Sequence, residues 1–337
     1  MPFCKISKSN LFYNLNQFTE IMPLDKIGIV LKRNAYGHGL LEIAKLLNEF
    51  GIRHVIVKDL DEANKIKNLF ETILVLYGVP KNTIQPNISI TINSLNDILK
   101  IPAKTSVELK VDTGMHRNGI SPEDLHEAIG LIKERDLSLK GIFTQFASAN
   151  ENSPLIFDQK KVFDDVIAET LSFCWRIRPR FHCSNTAGTV RFDNKNYDLV
   201  RIGLGAYGYI DIDKKFNTPE LKPVMSLWAN KIASRDLAKG ESVGYGAGYT
   251  SEKRMTVSTY DIGYGDGVFR SNENKKVYLD DGSHIMGRTS MDCFSAQGDR
   301  STICVFSDAR ELAHINKTIV YEIIVRIDQN IKRVIVD

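Results

Sequence analysis

Lys32 closes an apolar run, 27–31, and is followed at once by Asn34-Ala35-Tyr36-Gly37-His38-Gly39. A buried strand rarely ends on a lysine with a tyrosine four residues on and glycines beside it. At the rim of a fold such a lysine is either an ion-pair partner or, once burial lowers its pKa, a neutral amine that attacks a carbonyl. His38 by itself reads as a surface or capping histidine. A second group of residues lies far along the chain, where "VGYGAGYT" (243–250) and "DIGYGDG" (261–267) set Tyr245, Tyr249 and Tyr264 among glycines. Tyr249 reads as a core or turn aromatic, whereas the glycines leave the Tyr245 hydroxyl little shielded. A phenol of pKa ~10 acts as a general base only where cations lower that value.

Between these groups, "KVDTGMHRNG" (110–119) contributes Lys110 and Arg117, "FTQF" contributes Gln145, "PRFHCSN" (179–185) contributes His182 and Asn185, and Arg201 precedes "GLGAYG" (203–208). That last run is a literal G-x-G-x-x-G after a strand. The dinucleotide fingerprint needs its glycines to open a helix. Here "YIDIDKKFNTPELKP" follows, with Asn217, Pro219 and Pro223 and no helical period. A phosphate cradle of backbone N–H groups or a plain tight turn remains. One unusual lysine, two arginines and a glycine loop suit an anionic ligand with a reactive carbonyl. Pyridoxal phosphate supplies both aldehyde and phosphate, and Tyr36 then makes sense as a phosphate donor. "GRTSMDCF" (287–294) says little alone, because Arg288 and Asp292 could simply pair.

The elements that must position these residues follow from pattern. Candidate strands at 26–32, 54–58, 73–78, 88–93, 106–112, 139–146, 179–185 and 198–204 alternate with helical periods at 39–50, 61–70, 121–135 and 157–173. The helices after 78 and 185 are weak. Eight such strands fit a (β/α)8 TIM barrel better than an open sheet, though the count alone allows both. A barrel gathers the C-terminal strand ends at one face, where Lys32, Lys110, Arg117, Gln145, His182, Asn185 and Arg201 all fall. After Pro223 short strands and Gly-rich turns take over, among them "VMSLWANKIASRDL", "STICVFSD" and "YEIIVRI". An α/β chain is expected, with residues 1–221 as the barrel and 222–337 as an all-β domain.

Composition agrees with a soluble globular protein. The chain has 337 residues, 43% hydrophobic and 25% charged, with net charge +3. That balance gives no reason to expect nucleic acid or an anionic membrane as partner. No run approaches ~18 apolar residues and the N-terminus lacks an apolar signal core, so a cytoplasmic protein is expected. The five cysteines are scattered without C-x-x-C, which supports reduced thiols and no metal site.

These motifs, in this order and over essentially the whole chain, resemble the pyridoxal-phosphate-dependent alanine racemase family. "LKRNAYGHG", "LKVDTGMHRNG", "FASAN", "VRIGLGAYG", "LKPVMSL", "GESVGYGAGYT", "IGYGDG" and "GRTSMD" carry the resemblance. It implies the barrel and β domain, pyridoxal 5'-phosphate, and interconversion of L- and D-alanine by two bases, supplying D-alanine for peptidoglycan. Lys32 is implied as the Schiff-base lysine and one base. Tyr245 is implied as the other, reaching the partner's site in a homodimer. Tyr36, Thr186, Gly203 and Leu204 would hold the phosphate, and Arg201 would face the pyridine nitrogen, with His182 and Asn185 on the cofactor side. Arg117 and Met291 would bind the substrate carboxylate. Lys110, which many members carry carbamylated, would support Arg117, and Gln145, Tyr264 and Asp292 are supporting residues. Two departures stand out: Gln145 replaces the family's usual histidine, and a phosphate-binding tyrosine near the C-terminus falls at Gln329. A broader amino-acid racemase and a non-catalytic cofactor-binding protein of the same barrel are the alternatives.

Overall fold

The computed structural model describes residues 1–270 and 276–337. These form two compact units. One comprises Phe12–Arg33 and Ile43–Lys222, the other Met1–Leu11, Asn34–Glu42 and Pro223–Asp337. The chain therefore enters the second unit three times. Strand β1 (Phe3–Ser7) belongs to that unit.

The first unit is built on β2 (Ile27–Val30), β3 (His54–Val57), β4 (Thr72–Val75), β5 (Ile88–Ile92), β6 (Ser106–Lys110), β7 (Ser138–Phe143), β8 (Arg180–His182) and β9 (Val200–Ile202). From β2 to β8 each pairs in parallel with the next, and β2 also pairs with β9. Two backbone bonds, Asp198 N to Phe181 O and Arg201 N to Ser184 O, both 2.9 Å, link the β8 and β9 ends. The sheet is thus a nearly closed TIM barrel and not an open sheet. Strands buried on both faces read as apolar runs, as IGIV and TILV do here. The exceptions are Ser89, Thr91, Ser106, Glu108, Lys110, His182 and Arg201, all buried polar residues on barrel strands. The connection after β4 reaches β5 without a helix, and that after β8 holds only the six-residue helix Thr186–Arg191.

The second unit contains β10 (Met225–Leu237), β11 (Ser242–Val243), β12 (Tyr249–Thr250), β13 (Met255–Tyr260), β14 (Ile285–Met286), β15 (Phe294–Gln297), β16 (Thr302–Phe306) and β17 (Lys332–Val336). Its main sheet runs β14-β15-β13-β10-β1-β17, with β16 also on β10. The unit is mostly β, as expected, with short helices inside it. Helices Ala309–Ile315 and Val320–Val325 interrupt it, and the stretch read as strand "YEIIVRI" is largely the second of them. Ile323, Ile324 and Ile327 are buried while Glu322, Val325 and Arg326 are exposed, a helical period that outweighs the β-branched composition.

Gly205 occupies a tight place in the barrel unit, where a Cβ would lie 2.5 Å from Phe18 Cζ and 2.7 Å from Thr186 Cγ2. Gly205→Ala should therefore destabilise the protein by about 1–3 kcal/mol, read as a lowered midpoint in denaturant unfolding.

Candidate active site

Lys32 leaves the barrel one residue after Leu31, whose N–H still pairs with Ile56 O at 2.7 Å. The chain then turns left-handed: Arg33, Asn34, Ala35 and Tyr36 have φ of 57°, 55°, 52° and 52°. Each non-glycine residue there costs roughly 1–2 kcal/mol. The turn is held on its far side. Asn34 Oδ1 accepts from Leu40 N at 2.8 Å, and Gly37 O accepts from Arg333 Nε and Nη2 at 3.1 and 2.8 Å. Gly37 has φ 82°, and a Cβ there would sit 2.0 Å from Ile324 O. His38 is fully buried and not at the surface, with Nδ1 on Tyr36 O at 3.0 Å, and burial pushes it down to about 4.

The barrel mouth is crowded with cations. Burial lowers the Lys32 pKa, and Arg117, Arg33 and Arg201 lower it further against an opposing Glu62. Lys110, 6% exposed, is pushed down to about 8 by burial first and then by Arg117 and Arg201, with Asp112 opposing. Its Nζ donates to Asn118 Oδ1, and Asn118 Nδ2 donates to Asn93 Oδ1. Arg117 is exposed at the tip of a loop that Asp112 organises, its Oδ1 accepting from Gly114, Met115 and His116 N at 3.0 Å each. Gly119 returns the chain to β6 with φ 118°, where a Cβ would meet Asp112 N at 2.8 Å.

Arg201 is buried and held on several sides. Nη1 donates to His182 Nδ1 at 2.6 Å, and Nη2 reaches Thr144 O, Cys183 O and Gln145 Oε1 at 2.8, 3.0 and 3.2 Å. Its Nε–H meets no acceptor among the described residues. Burial lowers its pKa to about 10, against Cys183 and Glu108, so it stays cationic at neutral pH. Asn185 caps the short helix by accepting from Gly188 N at 3.0 Å, and Thr186 Oγ1 accepts from Gly203 N at 3.0 Å and Gly205 N at 3.4 Å. The structure thus gathers Lys32, Lys110, Arg117, Gln145, His182, Asn185, Thr186, Arg201, Gly203 and Leu204 in the barrel unit.

The remaining expected residues belong to the second unit. Tyr36 is buried, with its ring 5.6 Å from that of Tyr321. Burial first, and then Tyr321, push the Tyr36 phenol pKa up, so it stays a proton donor. Tyr321, which the sequence reading did not single out, is the aromatic beside Tyr36. Gln329 lies exposed in a turn. Tyr245 sits at the tip between β11 and β12, 69% exposed, and Met291 is 56% exposed. Met291 O accepts from Gly265 N at 2.9 Å, and Tyr264 N donates to Ser290 O at 3.0 Å, so the "IGYGDG" loop seats the Met291 backbone. Asp292 is exposed beside it. Tyr249 packs on the cluster of Leu237, Met255, Val257 and Met286 as a core aromatic.

The barrel unit thus holds a lysine amine with a lowered pKa among arginines, and a threonine hydroxyl bound by two glycine N–H groups, a set of groups suited to a carbonyl and an anion. Comparison with known proteins places it further. The family model for the alanine racemase N-terminal domain matches residues 6–211, and that for the C-terminal domain matches 224–335. An alanine racemase of a Nitratiruptor species is 38% identical over 341 residues, covering 100% of both chains. Among solved structures, the alanine racemase of Clostridium difficile 630 superposes with TM-score 0.89 at 29% identity, over 99% of this chain and 95% of that one. The histidine racemase of Leuconostoc mesenteroides subsp. sake gives 0.85 at 26% identity, over 100% and 98%. The chain belongs to the alanine racemase family.

Thr186→Val should strand the Gly203 and Gly205 N–H groups and destabilise the protein by about 1–3 kcal/mol. Calorimetric unfolding checks this.

Proposed function

We propose that this protein interconverts L- and D-alanine by proton transfer at Cα with pyridoxal 5'-phosphate as cofactor. The observation that carries this reading is the Lys32 amine, depressed by burial and by three arginines in a mouth with few carboxylates. The donors fit the cofactor. Lys32 would hold its aldehyde carbon, and Arg201 Nε–H would face the ring nitrogen. Thr186, Gly203, Leu204 and Tyr36 would take the phosphate at a cradle where the Gly205 Cβ would intrude, with Tyr321 beside Tyr36. When bound, the cofactor supplies an electron-accepting π-system that stabilises negative charge at the substrate Cα.

The chain's own groups do the rest. Inversion needs a proton removed on one face of Cα and delivered on the other. The Lys32 amine serves one face and Tyr245 of the partner subunit the other. Arg117 and the Met291 N–H, which has no acceptor among the described residues, hold the substrate carboxylate, Met291 again from the partner. Carried as a carbamate, Lys110 would be an anion able to orient Arg117, with Asn118 beside it. Arg201 keeps its proton at neutral pH and would donate a hydrogen bond, not a proton, to the ring nitrogen. Exposure of both Tyr245 and Met291 in a single chain supports a homodimer completed at these residues. No helix of the described residues is long and apolar enough to cross a membrane. The cytoplasm is the proposed location and peptidoglycan precursors the proposed use of D-alanine. Residues 1–221 carry the cofactor and 222–337 supply the partner's base. The likeness to a histidine racemase favours testing other amino acids beside alanine.

Incubation of L-alanine in D2O should give D-alanine deuterated at Cα, detected by chiral chromatography and mass spectrometry. A cofactor-bound protein inert toward alanine would point to another amino acid or to a non-catalytic role. Lys32→Ala and Tyr245→Phe homodimers should each lose racemisation, and mixing them should restore about a quarter of wild-type activity, since half the dimers are hybrids with one intact site. No recovery would refute the shared site. Capture of pyridoxal phosphate by apo-protein needs the neutral Lys32 amine. Its rate should therefore rise with pH and reach half-maximum below the ordinary lysine pKa, as stopped-flow absorbance can show.

A further inference from the structure

The carboxylate buried deepest in the barrel has no part in the reading so far. Glu108 on β6 is fully buried, and its two oxygens serve two residues of β8. Oε1 accepts from Arg180 Nε at 3.0 Å and also from Nη2, while Oε2 lies 2.7 Å from His182 Nε2. Arg180 is tethered in turn through Nη1 to Thr72 Oγ1 at 3.2 Å. The neighbouring strand is shaped around this pair. Gly141 on β7 is the register partner of Glu108, and a Cβ there would fall 2.7 Å from Oε2 and 3.0 Å from Arg180 Cγ.

His182 stands between two partners of fixed character. An ionised carboxylate only accepts and a guanidinium only donates, so Nε2 must carry the proton and Nδ1 must offer its lone pair to Arg201. Burial keeps the imidazole neutral, pushing it down to about 4 despite Glu108. Burial would raise Glu108, but Arg180 and His182 outweigh it and hold the carboxyl at about 2. At neutral pH the Glu108–His182 contact is an orienting hydrogen bond to a neutral ring.

We propose that Glu108 is a positioning residue of the racemase site: braced by Arg180, it holds His182 in the Nε2–H tautomer, and His182 thereby fixes the plane of the Arg201 guanidinium. The functional half of this inference rests on Arg201 facing the cofactor ring, as read above. The other tautomer would set N–H against N–H at Arg201 Nη1 and turn the guanidinium away. Gln145 offers little compensation, because its bond to Arg201 Nη2 is long at 3.2 Å against 2.6 Å for His182.

Nitrogen-15 NMR of the holoenzyme labelled in histidine reads the tautomer directly. The expected result for the His182 ring is a protonated Nε2 and a bare Nδ1, unchanged between about pH 6 and 9; its signals are told from those of His54, whose Nε2 also donates, to Asp25 O at 3.1 Å, by their loss in His182→Gln. A protonated Nδ1, or a ring at this site that titrates, overturns the proposal. Function is tested with the double variant Glu108→Gln/Arg180→Gln, which removes both charges together and leaves neither buried alone. Its kcat should fall about 10²-fold through misorientation, with KM for alanine within about threefold and a shifted absorbance band of the bound cofactor. A lower melting temperature with unchanged kcat and absorbance would mean that Glu108 only braces the barrel, and the proposal fails. If Arg201→Lys leaves the bound-cofactor absorbance as in wild type, the assignment of Arg201 to the ring fails, and with it the functional half, while the tautomer result stands by itself.

Discussion

Positive charge crowded into the C-terminal end of the barrel governs this site. Lys32, Lys110, Arg117 and Arg201 act on one another there, with Asp112 and Glu62 the carboxylates that oppose them. Two unit charges about 8 Å apart repel by about 2 kcal/mol at an effective dielectric of about 20. A cluster of four relaxes in two ways: a lysine releases its proton, or an anion enters. Both are useful. The first gives an amine able to attack a carbonyl, and the second asks for phosphate and carboxylate. The ligand chemistry proposed here is therefore what the protein's own electrostatics already favour.

Backbone strain sets the second condition. Four consecutive left-handed residues, Arg33 to Tyr36, lead the chain from the barrel unit into the β-rich unit. Such a turn persists only where its surroundings over-determine it. Here the Asn34 cap, the Arg333 clamp on Gly37 O and the close approach of Ile324 O do so. Lys32 and Tyr36, proposed to hold opposite ends of one cofactor, are spaced by this left-handed turn and not by a regular helix or strand.

Much of this was legible in the sequence, for physical reasons that differ by element. Barrel strands announce themselves because burial on both faces demands apolar runs. Lys32, Lys110 and His182 were legible because each ends such a run, and Arg201 because it interrupts one. The same period of two places Glu108 before Lys110 and Arg180 before His182, a signal overlooked because an ion pair inside a barrel is rare. The helix Val320–Val325 was hidden by its β-branched composition, and Tyr321 with it. Once that segment is helical, Tyr321 lies on Tyr36 and Gln329 falls in an exposed turn. No local pattern reveals left-handed φ at arginine or tyrosine. Gly37 and Gly39 marked the turn without stating its hand.

The two bases proposed for inversion differ in how they are held, and the difference has a chemical reason. Lys32 must sit in a fixed, partly desolvated place for its pKa to stay low, so it belongs on a packed barrel with an arginine network behind it. Tyr245 rides on a glycine-rich loop with Gly244 and Gly246 at φ 83° and 65° and its ring in solvent. In the homodimer proposed here, a phenol so placed would meet its surroundings in a second subunit. On this reading the opposite-face requirement of racemisation and the assembly of the protein are one constraint, because a single chain supplies a tuned base for one face of Cα only.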